Sequence, residues 1–211
     1  MHAAYYFLEM KLAITILLTI LLVRLIFRKL IDLPRYKGKS IIGDSSIENL
    51  MPEDKFWELV SASKMNSNGN YHVQCQLLRE HLEALSSKEI ISFNRTFIAL
   101  MAGSYSFRLW EAAYALNGGC SDDCFEYFRS WLIAQGRNKF YWTNRYPRIL
   151  FLVGVKEFIE NYEGYAYCAY EAYQNRIGQE LEYPRDIEYP NPGSAFRASI
   201  LLYPELALLA W

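Results

Sequence analysis

The sequence predicts an all-α protein in which a compact multi-helix domain follows a single N-terminal transmembrane helix. Three observations lead to this prediction. The run Leu12–Val23 contains no charged residue, apolar residues elsewhere recur at helical spacing, and helix-start and helix-stop signals divide that pattern into segments. With 52% apolar and 16% aromatic residues, the chain can bury a substantial core, which excludes a disordered protein.

The N-terminal segment, residues 1–33, is interpreted as a membrane anchor that meets the bilayer through residues 5–30. An uncharged run of twelve residues is shorter than the roughly twenty that a spanning helix needs, but Lys11 and Arg24 can lengthen it by snorkelling. Two alternatives stay open. A cleaved signal peptide has an apolar core of this length, but no small-residue cleavage site follows here. A helix lying in the membrane interface is disfavoured because the run is apolar on every face.

The distribution of charge predicts the orientation. Residues 1–40 carry seven Lys/Arg and two acidic residues, a net charge of +5, whereas the remainder carries fifteen and twenty-one, a net charge of −6. Most of the early basic residues follow the apolar run, and positively charged flanks stay in the cytoplasm. We therefore expect a single-pass protein of the cytoplasmic (inner) membrane with its body in the cytoplasm. The acidic body argues against nucleic acid as a partner.

After the anchor, residues 34–50 are interpreted as a linker and residues 51–211 as a helical domain with an extended, proline-containing C-terminal tail. Pro52 suits the first position of a helix. The turn Asn66–Asn70 separates this helix from a second one, and Ser86 with Glu89 forms a capping box that begins a third.

A fourth helix, containing Trp110, is predicted to end at Asn117-Gly118-Gly119. Ser121 can cap a fifth helix, which Gly136 ends. Residues 140–154 are ambiguous, and 149–155 fit either a short strand or a helix. A last helix is predicted over 155–177, with Phe158 and Tyr162 among its inward residues, and Leu201–Trp211 is expected to dock back on the domain.

Three segments resemble the bacterial domain-of-unknown-function 4240 family. They are FWELV at 56–60, LWEAAYALNGGCSDDCFEYFRSWLIAQGR at 109–137 and AYEAYQNRIGQEL at 169–181. The middle segment is long and distinctive, and the similarity covers roughly Pro52–Leu181. The resemblance implies a compact helical domain and no particular reaction. Similar sequences usually have glycine in place of Cys124, so a functional Cys120–Cys124 pair is not implied.

The candidate binding site is the turn between the fourth and fifth helices, together with the tryptophans near it. Asp122 and Asp123 could bind a cation or act as acid and base, but the simpler interpretation is that they stabilise the positive end of a helix. Arg129 lies two turns further on and could hold a carboxylate, or pair with Asp122 or Glu126. The candidate residues are Trp110, Asn117, Asp122, Asp123, Arg129 and Trp131.

The remaining chemistry is sparse. The four cysteines are interpreted as free thiols, and the spacing of Cys120 and Cys124 is wider than that of most zinc-binding pairs. No metal or cofactor is predicted, and no phosphate-binding or nucleophile motif occurs. The sequence favours a non-enzymatic protein-binding module of the adaptor or immunity type, with an unknown protein partner. The alternative is a small hydrolase-like enzyme using Asp122, Asp123 and Arg129.

Overall fold

The computed structural model describes residues 2–30, 33–42, 47–153, 163–191 and 203, and these residues form helices and connecting segments without a strand. This architecture confirms the all-α prediction. The helices are α1 His2–Leu30, α2 Glu53–Asn66, α3 Tyr71–Glu83, α4 Ser87–Gly103, α5 Phe107–Asn117, α6 Asp122–Ala134, α7 Arg137–Arg145, α8 Leu150–Val153 and α9 Glu163–Ile177, with a 3-10 turn at Pro147–Ile149.

The helix ends agree with the signals in the sequence. The Ser86 hydroxyl accepts a hydrogen bond from the Glu89 main-chain N–H, and the Glu89 carboxylate accepts one from the Ser86 N–H, so the capping box is confirmed. Ser121 caps α6 by accepting from the Cys124 N–H at 3.2 Å. Gly118 ends α5 at φ 67°, a left-handed conformation that glycine adopts without strain.

The described part of the ambiguous region is largely helical. Helix α7 begins directly after Gly136, and α8 confirms the helical alternative for the stretch around Leu150. The described part of the last predicted helix is α9, while residues 154–162, and with them Phe158 and Tyr162, lie outside the described residues. The predicted docking of Leu201–Trp211 also falls outside them except at Tyr203. That side chain is buried, and its hydroxyl donates to the main-chain oxygen of Arg108 at 3.3 Å.

The core forms where α9 packs against α3, α4 and α6, with α2 closing the opposite side. At its centre Tyr165 of α9 is 1% exposed, and Phe56 of α2 stacks on Phe93 of α4 with 4.6 Å between ring centroids. Helix α3 exposes one apolar residue and buries a polar one. Val73 is exposed, and the neighbouring Gln74 is buried, because its amide donates to the main-chain oxygen of Ala134 in α6.

Residues 33–42, in the predicted linker, lie against α7. The main-chain N–H of Tyr36 donates to the side-chain oxygen of Asn138 at 3.0 Å, and the indole N–H of Trp142 donates to the main-chain oxygen of Pro34 at 2.8 Å. The Asn138 amide also donates to the main-chain oxygen of Leu33 at 3.3 Å, so the chain contacts the domain three residues after α1 ends.

Within the described residues, no helix combines the length and the apolar character needed to cross a membrane. The transmembrane helix predicted for residues 1–33 is thus not supported by this structure.

Candidate functional site

The turn between α5 and α6 is held by two side chains of α5. The Trp110 indole N–H donates to the main-chain oxygen of Cys120 at 3.0 Å, and the Asn117 amide donates to that of Gly119 at 2.8 Å. Trp110 and Asn117, two of the predicted site residues, therefore stabilise the turn from α5 and fix the position at which α6 starts.

Asp122 and Asp123 are exposed in the first turn of α6. Ser121 already caps this helix end, and no hydrogen bond or ion pair joins either carboxylate to another of the described residues. Their position fits the simpler interpretation, in which negative charge interacts with the positive end of the helix. Chemically, the pair is a solvent-facing patch of negative charge.

Arg129 is 3% exposed and lies inside the domain. Its guanidinium donates to the main-chain oxygens of Phe125 at 3.3 Å and Met101 at 2.5 Å. The Tyr105, Phe125 and Tyr189 rings surround the guanidinium at 4.8–5.3 Å. Burial lowers the pKa of Arg129, yet arginine keeps its charge in proteins. The described residues show no carboxylate paired with it, so its charge is balanced by carbonyl dipoles and ring faces.

The predicted site residues therefore do not converge. Trp131 is 5% exposed and belongs to the core. Trp110 and Asn117 brace the turn, the two aspartates face solvent, and Arg129 lies among aromatic rings two helical turns away. Such an arrangement places no acid–base pair around a common point, which enzymatic hydrolysis would require.

The two cysteines of the turn contact each other. The Cys120 thiol donates to the sulfur of Cys124 at 2.7 Å, and both side chains are half-buried free thiols. This hydrogen bond raises the pKa of Cys120 and lowers that of Cys124. In the part of the chain that the structure describes, no group of three or more His, Cys, Asp or Glu residues is placed to hold a metal ion.

A polar cleft of 1070 Å³ lies elsewhere, between α4, the end of α9 and the extended segment that follows α9. We call it the α4–α9 cleft. Its volume is at the upper end of the range for ligand-binding pockets, about 300–1000 Å³. Its lining residues are Ile91, Asn94, Arg95, Tyr173, Gln179, Glu180, Leu181, Glu182, Tyr183, Pro184, Arg185 and Asp186.

Asn94 forms the most distinctive part of the cleft. The residue is 1% exposed, and its side-chain oxygen has no hydrogen-bond partner among the described residues. A buried acceptor without a donor costs about 1–3 kcal/mol, so it is seldom kept without a reason. Asn94 borders the cleft but its oxygen is covered, so a ligand N–H or O–H would supply the missing hydrogen bond once the side chain turned toward the cleft.

One wall of the cleft is held by an ion pair. Arg95 donates to both carboxylate oxygens of Asp186, at 2.9 and 2.5 Å, and to the main-chain oxygen of Glu48 at 3.0 Å. This pairing raises the pKa of Arg95 and lowers that of Asp186. Burial raises the pKa of Tyr183, on the rim, to about 12, so its phenol stays protonated and can donate at neutral pH.

Sequence reasoning missed this cleft entirely. The only signal was Asn94 itself, a polar residue between Phe93 and Phe97 on a helix with a strongly apolar face. The opposite wall, residues 179–186, has no helical period, and its closeness to α4 depends on the path of the chain after α9.

Comparison with family models gives a match over residues 51–175, to the family described as a protein of unknown function (DUF4240). This match spans more than half of the chain. The chain belongs to the DUF4240 family. No curated protein and no solved structure matches it.

The residues matched by the DUF4240 model include one of the surfaces described above and only part of the other. It contains the whole α5–α6 turn and the side of the cleft formed by Asn94, Arg95 and Tyr173. The segment 179–186 and the residues before 51 lie outside the matched range. The cleft is therefore built partly from the DUF4240 domain and partly from the chain that follows it.

Proposed function

We propose that this protein is a non-enzymatic protein-binding module, attached to a membrane by α1, and that it binds an extended segment of a partner protein in the α4–α9 cleft. The observation that carries the proposal is the buried acceptor of Asn94 on the cleft wall.

A polypeptide suits the chemistry of this cleft. An extended chain presents a main-chain N–H at regular intervals, and such a donor is what the Asn94 oxygen lacks. Tyr183 is 49% exposed at the rim, and tyrosine supplies amphipathic contact area at protein interfaces. The pairing of Arg95 with Asp186 neutralises two of the charges, so a peptide need not bring a strong charge of its own.

The enzyme alternative receives less support. A hydrolase built on Asp122, Asp123 and Arg129 would need these groups at one reaction centre, but the aspartates are exposed while Arg129 is enclosed by rings. The α5–α6 turn is better suited to a second contact surface, because its exposed carboxylates are held on a rigid helix end.

Site-specific photocrosslinking in the native cell tests the binding proposal. A photoreactive phenylalanine analogue replaces Tyr183 in the cleft, Asp123 on the turn, or Met65 as a control. Met65 is 78% exposed on α2 and belongs to neither surface. We expect a discrete adduct with one protein from position 183 and none from position 65.

An adduct from position 123 alone would show that the partner binds at the α5–α6 turn and not in the α4–α9 cleft. Absence of adducts from both test positions, in protein that remains folded, would contradict the binding module. Adding Asn94→Leu to the Tyr183 probe should reduce the adduct, because leucine offers no acceptor to an incoming N–H.

The proposed membrane attachment rests on the side chains of α1. Its apolar residues between Leu12 and Leu22 are exposed on all faces of the helix, with Leu18 at 59%. An exposed apolar surface of this kind is stable in lipid and unfavourable in water. Glu9 and Lys11 would lie at one membrane surface, and the basic residues that follow the run would lie at the cytoplasmic one.

Alkaline carbonate extraction of native membranes tests this attachment. We expect the full chain to stay in the membrane pellet, and Leu17→Lys/Leu18→Lys to shift it to the supernatant because two charges enter the apolar surface. Met65→Lys adds a charge on the domain and should leave the distribution unchanged. Release of the unaltered chain by carbonate would end the proposal that α1 is inserted.

A further inference from the structure

A second cavity, of 790 Å³, lies where residues 34–39 cross the end of α7. We call it the basic pocket. Its lining contains four cationic and three aromatic side chains and no acidic residue. The lining residues are Pro34, Arg35, Tyr36, Lys37, Gly38, Lys39, Trp142, Arg145 and Tyr146.

The four cations of the pocket have no acidic partners. Arg35, Lys37, Lys39 and Arg145 are all exposed, and none forms an ion pair within the described part of the chain. Four like charges facing one cavity repel each other. A polyvalent or clustered anion would relieve this repulsion and gain charge-assisted hydrogen bonds.

Aromatic rings give the pocket a defined shape. The Tyr36 ring meets the Trp142 indole edge-on at 5.4 Å, and Tyr146 stacks on the same indole at 6.0 Å. Gly38 makes this arrangement possible, since a side-chain carbon at that position would overlap the Tyr36 phenol. Trp142 is also hydrogen-bonded to Pro34, so the basic segment is held on the domain rather than extended into solvent.

We infer that the basic pocket binds the phosphate headgroup of an anionic phospholipid. The inference rests on the proposed attachment through α1. The pocket begins four residues after α1 ends at Leu30, so an α1 inserted in a bilayer would hold the pocket at headgroup level. Cations beside a membrane attract anionic lipids, and tryptophan and tyrosine favour the interface between headgroups and acyl chains.

Lipid is favoured over free phosphate because the pocket combines cations with apolar ring surface. A phosphate ion would use only the charges, whereas a headgroup with its glycerol and upper acyl chain would also cover Trp142 and Tyr146. A protein partner with an acidic segment is the less favoured occupant, since the pocket's position next to α1 leaves lipid as its nearest neighbour.

Calorimetric titration of the full chain in neutral detergent tests the inference. The probes are short-chain phosphatidylglycerol, short-chain phosphatidylcholine and inorganic phosphate. The test variant is Lys37→Gln/Arg145→Gln. The matched control is Lys88→Gln/Arg176→Gln, which removes the same charge from exposed residues outside both the basic pocket and the α4–α9 cleft.

We expect phosphatidylglycerol to bind the unaltered chain and the control alike, and to bind the test variant about tenfold more weakly or worse, because each lost cation removes attraction to the lipid phosphate. Phosphatidylcholine should bind much more weakly than phosphatidylglycerol. Equal binding of the two lipids, or equal weakening in the control variant, would overturn the inference. Inorganic phosphate binding as tightly as phosphatidylglycerol would overturn the assignment to lipid.

The micelle titration does not depend on insertion of α1, so its outcome is separate from the carbonate experiment. A test variant that loses lipid binding should still resist carbonate extraction, because the attachment proposed for α1 uses other residues. If carbonate released the chain while the chain still preferred phosphatidylglycerol, the proposed membrane attachment would be wrong and the lipid assignment of the basic pocket would be retained.

Discussion

The two ends of helix α6 differ in exposure and in the contacts that hold them. At its start Asp122 and Asp123 are exposed, and the Ser121 hydroxyl caps this end. Its last turn is buried, and side chains from two other helices bind its end. Gln74 of α3 donates to the oxygen of Ala134 at 2.9 Å, and Lys64 of α2 donates to that of Gln135 at 2.6 Å.

Within the thirteen residues of α6, the charges at one end face solvent and the charge in the other half stabilises the fold. Charges at the start of α6 are solvated and free to meet another molecule. The cation in its buried half, Arg129, is used internally to join α6 to the end of α4. Substitutions should therefore affect stability strongly toward the buried end and weakly at the exposed end.

The largest expected effect is that of Arg129→Met. The substitution removes the charge-assisted hydrogen bond to the Met101 oxygen, which keeps only the Ser104 hydroxyl as a donor, and it removes the cation from three ring faces. We expect a loss of about 3 kcal/mol in the free energy of unfolding. Arg176→Met is the control, since Arg176 also donates to a main-chain oxygen, that of Glu83, but is exposed. Denaturant unfolding of the full chain in detergent measures both. Equal losses of unfolding free energy in the two variants would show that burial does not increase the contribution of Arg129.

The next effect depends on pH. Burial, and then the charge of Lys139, lower the pKa of Lys64 to about 8 from its ordinary 10.5. Below pH 8 both the folded and the unfolded chain hold this proton, so the cost of burying the charge is fully present. Between pH 8 and 10.5 the folded chain releases the proton and the unfolded chain keeps it, so stability rises with pH.

We expect this rise to be on the order of 1–2 kcal/mol, with allowance for partial solvent access. Lys64→Met should remove it, and the difference between the two unfolding curves across this pH range measures it. Lys88→Met, at an exposed position, is the control. An unchanged slope in Lys64→Met would mean that the Gln135 oxygen fully compensates the buried charge.

A smaller effect is expected from Ser121→Ala, which removes the side-chain acceptor for the Cys124 N–H at the start of α6. Loss of an N-cap costs about 1 kcal/mol. Ser61→Ala, inside α2, should change the unfolding free energy little, because alanine is the better helix former there. A Ser121 variant as stable as the parent would mean that water caps α6 equally well.

The smallest effect is that of Asp122→Asn/Asp123→Asn. Each carboxylate near a helix start contributes about 0.3 kcal/mol where it is exposed, as both are here, and salt screens the effect. We expect a small loss of stability in dilute buffer that disappears in concentrated salt. A loss that persists in salt would indicate a specific contact of these side chains. It would contradict the difference drawn between the exposed start and the buried end of α6.

Local signals in the sequence explain which features could be predicted. The capping box at Ser86 and the glycine end of α5 depend on neighbouring residues, so the helices they limit could be placed from the sequence. Helix α7 could not be placed from the sequence, because the aromatic and basic residues after Gly136 lack a clear apolar period. Its face is determined by the segment around Tyr36, about a hundred residues earlier in the chain.

The candidate site was harder to predict for the same reason. Asp122 and Arg129 lie two turns apart along one helix, and their spacing suggests a common face, but packing against α4 turns the arginine inward. The α4–α9 cleft depends on the return of residues 179–186 to α4, a long-range contact with no local sequence signal. The basic pocket likewise joins residues 34–39 to Arg145, which only the fold brings together.

The contact of residues 33–42 with α7 restricts how far the domain can travel. If α1 lies in a bilayer, the chain from Leu30 to Leu33 reaches at most about 11 Å, so the domain cannot sample the volume that a long flexible tether would allow. The face of the domain that carries residues 33–42 and α7 would then lie within about one helix width of the lipid surface. Proteins that share that surface would meet the domain by lateral diffusion in two dimensions, which favours a resident of the same membrane over a molecule arriving from solution.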